Sequence, residues 1–158
     1  MTSDEFVRRV EALRPTLYRV CRMQLSIAAD REDAVQEAVL RAWRKLGTLR
    51  DESRFDGWFI RILINVCHNL QRQRGRVVPM EVPPEPPPRD DSRARALREA
   101  MNALDERQRL CVLLHYIEGY TVKETATMLG IGESAAKLRL MRGRRRLKEM
   151  LSEEVFGR

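Results

Sequence analysis

The sequence predicts an all-α chain of two small helical domains joined by a proline-rich linker. Three observations carry this. Apolar residues recur at steps of three and four through most of the 158 residues, and neither half alternates with the period of two expected of strands. Residues 77–91, VVPMEVPPEPPPRDD, hold six of the seven prolines and no helical periodicity. Capping and stop residues bracket the periodic segments on both sides of that interruption.

The first domain is expected over residues 1–76. Phe6, Val10, Leu13, Leu17 and Cys21 form an amphipathic stripe, with an interruption or kink expected near Pro15. In DREDAVQEAVLRAWRKLG, Asp30 is the expected N-cap, Glu32 and Asp33 occupy the electropositive first turn, and Gly47 is the expected stop. Its inward face reads Ala34, Val35, Ala38, Ala42 and Leu46. In FDGWFIRILINVCHNLQRQRG the inward residues read Phe59, Ile62, Leu63, Val66 and Leu70, and the segment ends in a basic tip of Arg72, Arg74 and Arg76. Residues 77–92 form the linker. Proline lacks a backbone donor and biases its predecessor towards extended conformations, so the linker reads as stiff and solvated. Fifteen extended residues reach roughly 45–50 Å.

The second domain is expected over 93–158. SRARALREAMNAL opens it. Asp105 and Gln108 have capping-box spacing before a helix closed by Gly119. Thr121 and Glu124 repeat the signal, and Gly130 ends that helix after barely two turns. A long basic helix, ESAAKLRLMRGRRRLKEML, follows Gly132. A short helix, a glycine turn and a long basic helix make a helix-turn-helix arrangement. Ala126 supplies the small residue for a close crossing, and Ile131 is expected to plug the turn with Met128 and Leu129.

The long helix carries seven bases and still keeps an inward stripe of Ala136, Leu140, Gly143, Leu147 and Leu151. Gly143 costs about 1 kcal/mol against alanine, which suggests a close backbone approach. The opposite side leaves Ser134, Lys137, Leu138, Met141 and Arg142 for a groove, with Arg139, Arg144, Arg145, Arg146 and Lys148 as phosphate contacts. With 34% charged residues and a net charge of +7, the favoured partner is nucleic acid, ahead of an acidic protein or an anionic membrane. The first domain adds aromatics, Asn65 and Asn69 on one helix with arginines at its end, a combination suited to unstacked bases.

In that order, DREDAVQEAVLRAW, FDGWFIRILIN, the proline linker and LDERQRLCVLLHYIEGYTVKETATMLGI…KLRLMRGRRRL resemble bacterial extracytoplasmic function (ECF) RNA polymerase sigma factors over residues 5–152. The resemblance implies a region 2 bundle that docks on the clamp of core RNA polymerase and captures the melted −10 element. It also implies a region 4 helix-turn-helix that reads the −35 element and binds the polymerase flap. Asp33, Gln36 and Glu37 match the family's D-x-x-Q-E clamp contact, which Arg41 extends by one turn. Asn65 matches the asparagine of R-I-x-x-N beside the pocket for a flipped −10 base, with Asn69, Arg72, Arg74 and Arg76 beyond it. Lys137, Arg139 and Arg142 match basic positions of the recognition helix; Met141 takes a base-facing position, and Ser134, Leu138 and Arg145 complete the surface. This chain departs from the family at Ala135, Leu138 and Gly143. The lost hydroxyls leave Leu138 or Met141 available to touch thymine methyl groups. An anti-sigma factor is the further implied partner.

Other chemistry is poorly supported. Cys111 with His115, and Cys67 with His68, have ligand-like spacing without a completing set, so no metal or other cofactor is expected. No nucleophile–base set or phosphate loop suggests an enzyme. Three distant cysteines, a charged N-terminus and no apolar run near 20 residues point to a cytoplasmic protein without a signal peptide or membrane span. The rival readings are a free-standing helix-turn-helix regulator and a protein–protein adaptor.

Overall fold

The computed structural model describes residues 1–74 and 92–154; Arg76 and the proline-rich linker up to residue 91 lie outside them, while Ser92 opens a helix. The fold is all-α. Its helices are α1 (Ser3–Gln24), α2 (Ala28–Arg44), α3 (Phe55–Arg74), α4 (Ser92–Ala103), α5 (Glu106–Val112), α6 (Val122–Leu129) and α7 (Glu133–Glu154). The described residues divide into two compact units, 1–74 with 127–131, and 92–126 with 132–154.

In the first unit α1, α2 and α3 pack pairwise. The Thr2 hydroxyl caps α1 by accepting from the Glu5 amide at 3.2 Å. The interruption expected as one outcome at Pro15 does not occur: α1 runs unbroken through it. Pro15 lies on the exposed side, where the carbonyls it disrupts can turn to water, while Leu13, Leu17 and Val20 bury the opposite side and hold the helix together. Phe55 packs edge-on to Phe6 and against Phe59, with ring centroids 5.9 and 5.7 Å apart.

Three local expectations change. Helix α2 starts at Ala28, so Asp30 is not its N-cap; the residue is buried inside the first turn, where its carboxylate accepts a hydrogen bond from the Arg74 guanidinium at the end of α3. Gly47 does not stop α2, which ends at Arg44 and passes into a 3-10 turn, Leu46–Thr48. Helix α3 touches two neighbours and so buries a wider stripe than expected. Ile60, Ile64 and Cys67 join Phe59, Leu63 and Val66 inside, while Ile62 and Leu70 are half-buried. Cys67 Sγ lies 3.9 Å from Cys21 Sγ across the α1–α3 seam.

In the second unit α4 and α5 pack on α7. The Asp105 carboxylate accepts from the Gln108 amide at 2.8 Å, the expected cap of α5. Beyond Val112 the chain widens into a π-helical turn, Leu113–Ile117, closed by the Glu118 amide donating to the Leu113 carbonyl at 2.9 Å. Gly119, at φ +84°, redirects the chain. A complete capping box opens α6: the Glu124 amide donates to the Thr121 hydroxyl at 3.0 Å, and the Thr121 amide to the Glu124 carboxylate at 2.9 Å. Gly130, at φ +68°, makes the turn before α7, and Ile131 in that turn is half-buried. Along α7, Ala136, Leu140 and Gly143 are buried, and Leu147 and Leu151 half-buried. A Cβ on Gly143 would stand 2.9 Å from Val112 Cγ2.

Gly143→Val would force the α5–α7 seam apart at a stiff, β-branched neighbour and destabilise the protein by about 2 kcal/mol, read as an earlier urea midpoint. Gly47→Ala, with nothing within 4 Å, would leave that midpoint unchanged. Arg74→Ala strands the carboxylate of Asp30, whose side chain is 7% exposed; because that of Arg74 is 53% exposed, the cost is held to about 1–2 kcal/mol. Adding Asp30→Asn to Arg74→Ala would recover part of it, measurable by thermal unfolding.

Candidate nucleic-acid and partner interfaces

Helix α2 is amphipathic in a way that isolates one outward face. Ala34, Val35, Ala38 and Ala42 are buried, and spacings of three and four bring Asp33, Gln36, Glu37 and Arg41 round the other side. Asp33 and Gln36 are exposed. Glu37 and Arg41 are partly covered and pair with each other, the Arg41 Nε donating to Glu37 Oε1 at 3.0 Å. Sequence reasoning missed two residues of this face. Leu40 and Trp43 are 49% and 47% exposed, although the Trp43 ring packs 5.2 Å from that of Phe6. The signal was available: both lie off the alanine-rich stripe.

On α3, Asn65 and Arg72 are exposed and Asn69 is half-buried, at steps of four and three along one face. Half-buried Trp58 stands two turns before Asn65 on that face, its ring 5.9 Å from Phe55. Phe59 belongs to the core. Arg74 projects from the opposite side and is engaged by Asp30, so the structure does not bring it together with the asparagines. Gln71 is likewise occupied within the bundle, its amide donating to the Gln24 carbonyl at 2.8 Å.

Helix α7 carries its bases around a second stripe. Ser134, Leu138, Met141 and Arg145 step by four, three and four, and all four are exposed, Leu138 by 41% and Met141 by 45%. Lys137, Arg142, Arg144 and Lys148 are exposed beside them. Half-buried Arg139 turns instead towards α5, beside Cys111. Burial pushes the Cys111 thiol above its ordinary range, and the Arg139 guanidinium partly offsets this. Arg142, Arg145, Arg146 and Glu149 rim a hollow of about 340 Å³ against Asp105 and Gln108. Opposite one packed stripe, then, stands a solvent-facing surface of closely spaced cations, suited to a polyanion. Among the described residues no three His, Cys, Asp or Glu side chains are grouped to hold a metal ion, and no helix is long and apolar enough to cross a membrane.

The sequence matches the family described as sigma-70 region 2 over residues 9–77 and that described as sigma-70, region 4 over residues 94–147. It is 32% identical over 140 residues to the ECF RNA polymerase sigma factor SigM of Mycobacterium tuberculosis, covering 85% of this chain and 71% of that protein. It is 30% identical over 152 residues to the RNA polymerase sigma-E factor of Streptomyces coelicolor, covering 93% and 86%. Among solved structures, it is similar to the sigma factor RpoE of Bartonella quintana, co-crystallised with the anti-sigma factor NepR. That match has a TM-score of 0.81 and 26% identity, and covers 94% and 97% of the two chains. CnrH, in complex with the cytosolic domain of CnrY, gives a TM-score of 0.71 at 25% identity over 97% and 91%. The helical bundle, the helix-turn-helix and these matches converge: the chain belongs to the ECF family of RNA polymerase sigma factors, whose members direct polymerase to promoters.

Proposed function

We propose that the three faces divide the work of promoter-specific initiation. Region 2, residues 1–76, docks on the clamp of core RNA polymerase through Asp33, Gln36, Glu37 and Arg41, with Leu40 and Trp43 adding apolar contact. It holds unpaired −10 bases against Asn65 and Asn69, while Arg72, Arg74 and Arg76 accompany the strand; the Asp30 pairing makes Arg74 the most structural member of that set. Residues 77–92 tether the domains. Region 4, residues 93–158, reads the −35 duplex with Ser134, Lys137, Leu138, Arg139, Met141, Arg142 and Arg145; its turn towards Cys111 makes Arg139 the most structural member of that set. Polymerase supplies the chemistry, so the chain itself is no enzyme, and it acts in the cytoplasm.

One observation carries the assignment: α2 and α7 each bury one stripe and leave on the other side the polar and charged residues that a partner surface needs. Family membership disfavours the free-standing regulator and the adaptor, neither of which calls for a region 2 at all. RpoE and CnrH, each solved with a bound partner, support a second element of the reading: an anti-sigma factor that sequesters this chain as well.

Reversing charge and polarity with Asp33→Arg and Gln36→Arg together would lower retention of core polymerase at least tenfold, equivalent to about 1.4 kcal/mol, with the circular dichroism spectrum unchanged. Undiminished co-purification would defeat the docking assignment. Arg144→Ala with Lys148→Ala, both exposed, would weaken holoenzyme binding to promoters that need a −35 element and flatten its salt dependence by about two phosphate contacts. An unaltered salt slope would argue against phosphate contacts there.

A further inference from the structure

The exposed stripe of α7 is unusual in its middle. Its two ends, Ser134 and Arg145, can hydrogen-bond to DNA. Its two central members, Leu138 and Met141, offer no donor and at most a weak sulfur acceptor, yet they project between Lys137, Arg142 and Arg144. A lysine or arginine at either position would serve phosphate attraction better, so charge alone does not account for them. Isolated exposed aliphatic residues are common on protein surfaces. Here two neighbours occupy the centre of the surface on which the helix's cations converge.

A recognition helix in the major groove brings its N-terminal residues to the base edges. Guanine, cytosine and adenine present donors and acceptors there that an aliphatic side chain cannot satisfy. Thymine presents a C5-methyl group. We infer that Leu138 and Met141 are specificity-determining residues that select thymine in the −35 duplex through its methyl group. This rests on reading α7 as the recognition helix, and goes beyond it by naming the base and the atom. Three residues of helix advance about 4.5 Å, against about 3.4 Å per base pair, so the two side chains cover one or two neighbouring pairs. Covering one methyl is worth roughly fourfold in affinity, equivalent to about 0.8 kcal/mol.

The test uses holoenzyme assembled from the full chain and core polymerase. Duplexes with a fixed −10 segment and a randomised upstream segment are selected for binding. The winners are then resynthesised with uracil in place of single upstream thymines, which removes the methyl and keeps the hydrogen-bonding pattern. The wild-type chain is expected to select thymine at one or two positions and to bind each uracil version about fourfold more weakly. Leu138→Ala with Met141→Ala is expected to bind thymine and uracil versions alike while retaining polymerase. Equal wild-type affinity for both versions, a selected motif without thymine, or a thymine preference that survives the double substitution would each overturn the inference. If no upstream motif emerges, the recognition-helix reading itself fails and the inference goes with it.

Discussion

The contact between α5 and α7 at Gly143 is the constraint on which the DNA-facing surface depends. Many cations on one helix repel each other, and the helix holds them together only because its other side is anchored by apolar burial. Ala136, Leu140 and Gly143 are all small or well covered, so the α7 backbone lies close to α5. Close approach favours contact of Val112 with the α7 backbone over space for a side chain. The same approach orients α7 about its own axis. A turn of 100° per residue means that fixing Gly143 inward fixes Leu138 and Met141 outward.

The first unit meets a related demand differently. Its basic tip lies at the end of α3, where a helix would ordinarily fray. Arg74 ties that last turn to buried Asp30 in the first turn of α2, and Gln71 ties the preceding turn to α1. Asn69 and Arg72 are thereby presented from a fixed frame. The arginine that does this faces away from them, so charge in this region is divided between holding the bundle and facing outward.

Features set by near neighbours in the chain could be read from the sequence. The Thr121–Glu124 box needs residues only three apart, and both of its hydrogen bonds are present. A glycine inside a strongly helical segment announced the close approach at Gly143. Features set by distant partners could not. Asp30 has the chemistry of a cap, and only Arg74, 44 residues away, makes it a buried ion-pair member. The stripe expected on α3 is narrower than the buried one, because α1 and α2 both cover that helix. Nothing in the local sequence LLHYI signals a π-helical turn, in which Leu113 and Leu114 are buried. For the candidate interfaces, the residues of α2 and α7 were legible as off-stripe positions. The mutual pairing of Glu37 with Arg41 and the turning of Arg139 towards Cys111 were not.

That Glu37–Arg41 pairing has a consequence for how the two proposed surfaces respond to ions. With these two charges cancelling, Asp33 is left as the charge of the proposed docking set, and exposed Leu40 and Trp43 lie beyond it towards the helix C-terminus, so attachment there would draw on dehydration more than on charge. Attachment through α7 would draw on counterion release and fade steeply as salt rises. An ionic-strength gradient would therefore strip the promoter from the complex first and leave the sigma subunit riding on its polymerase.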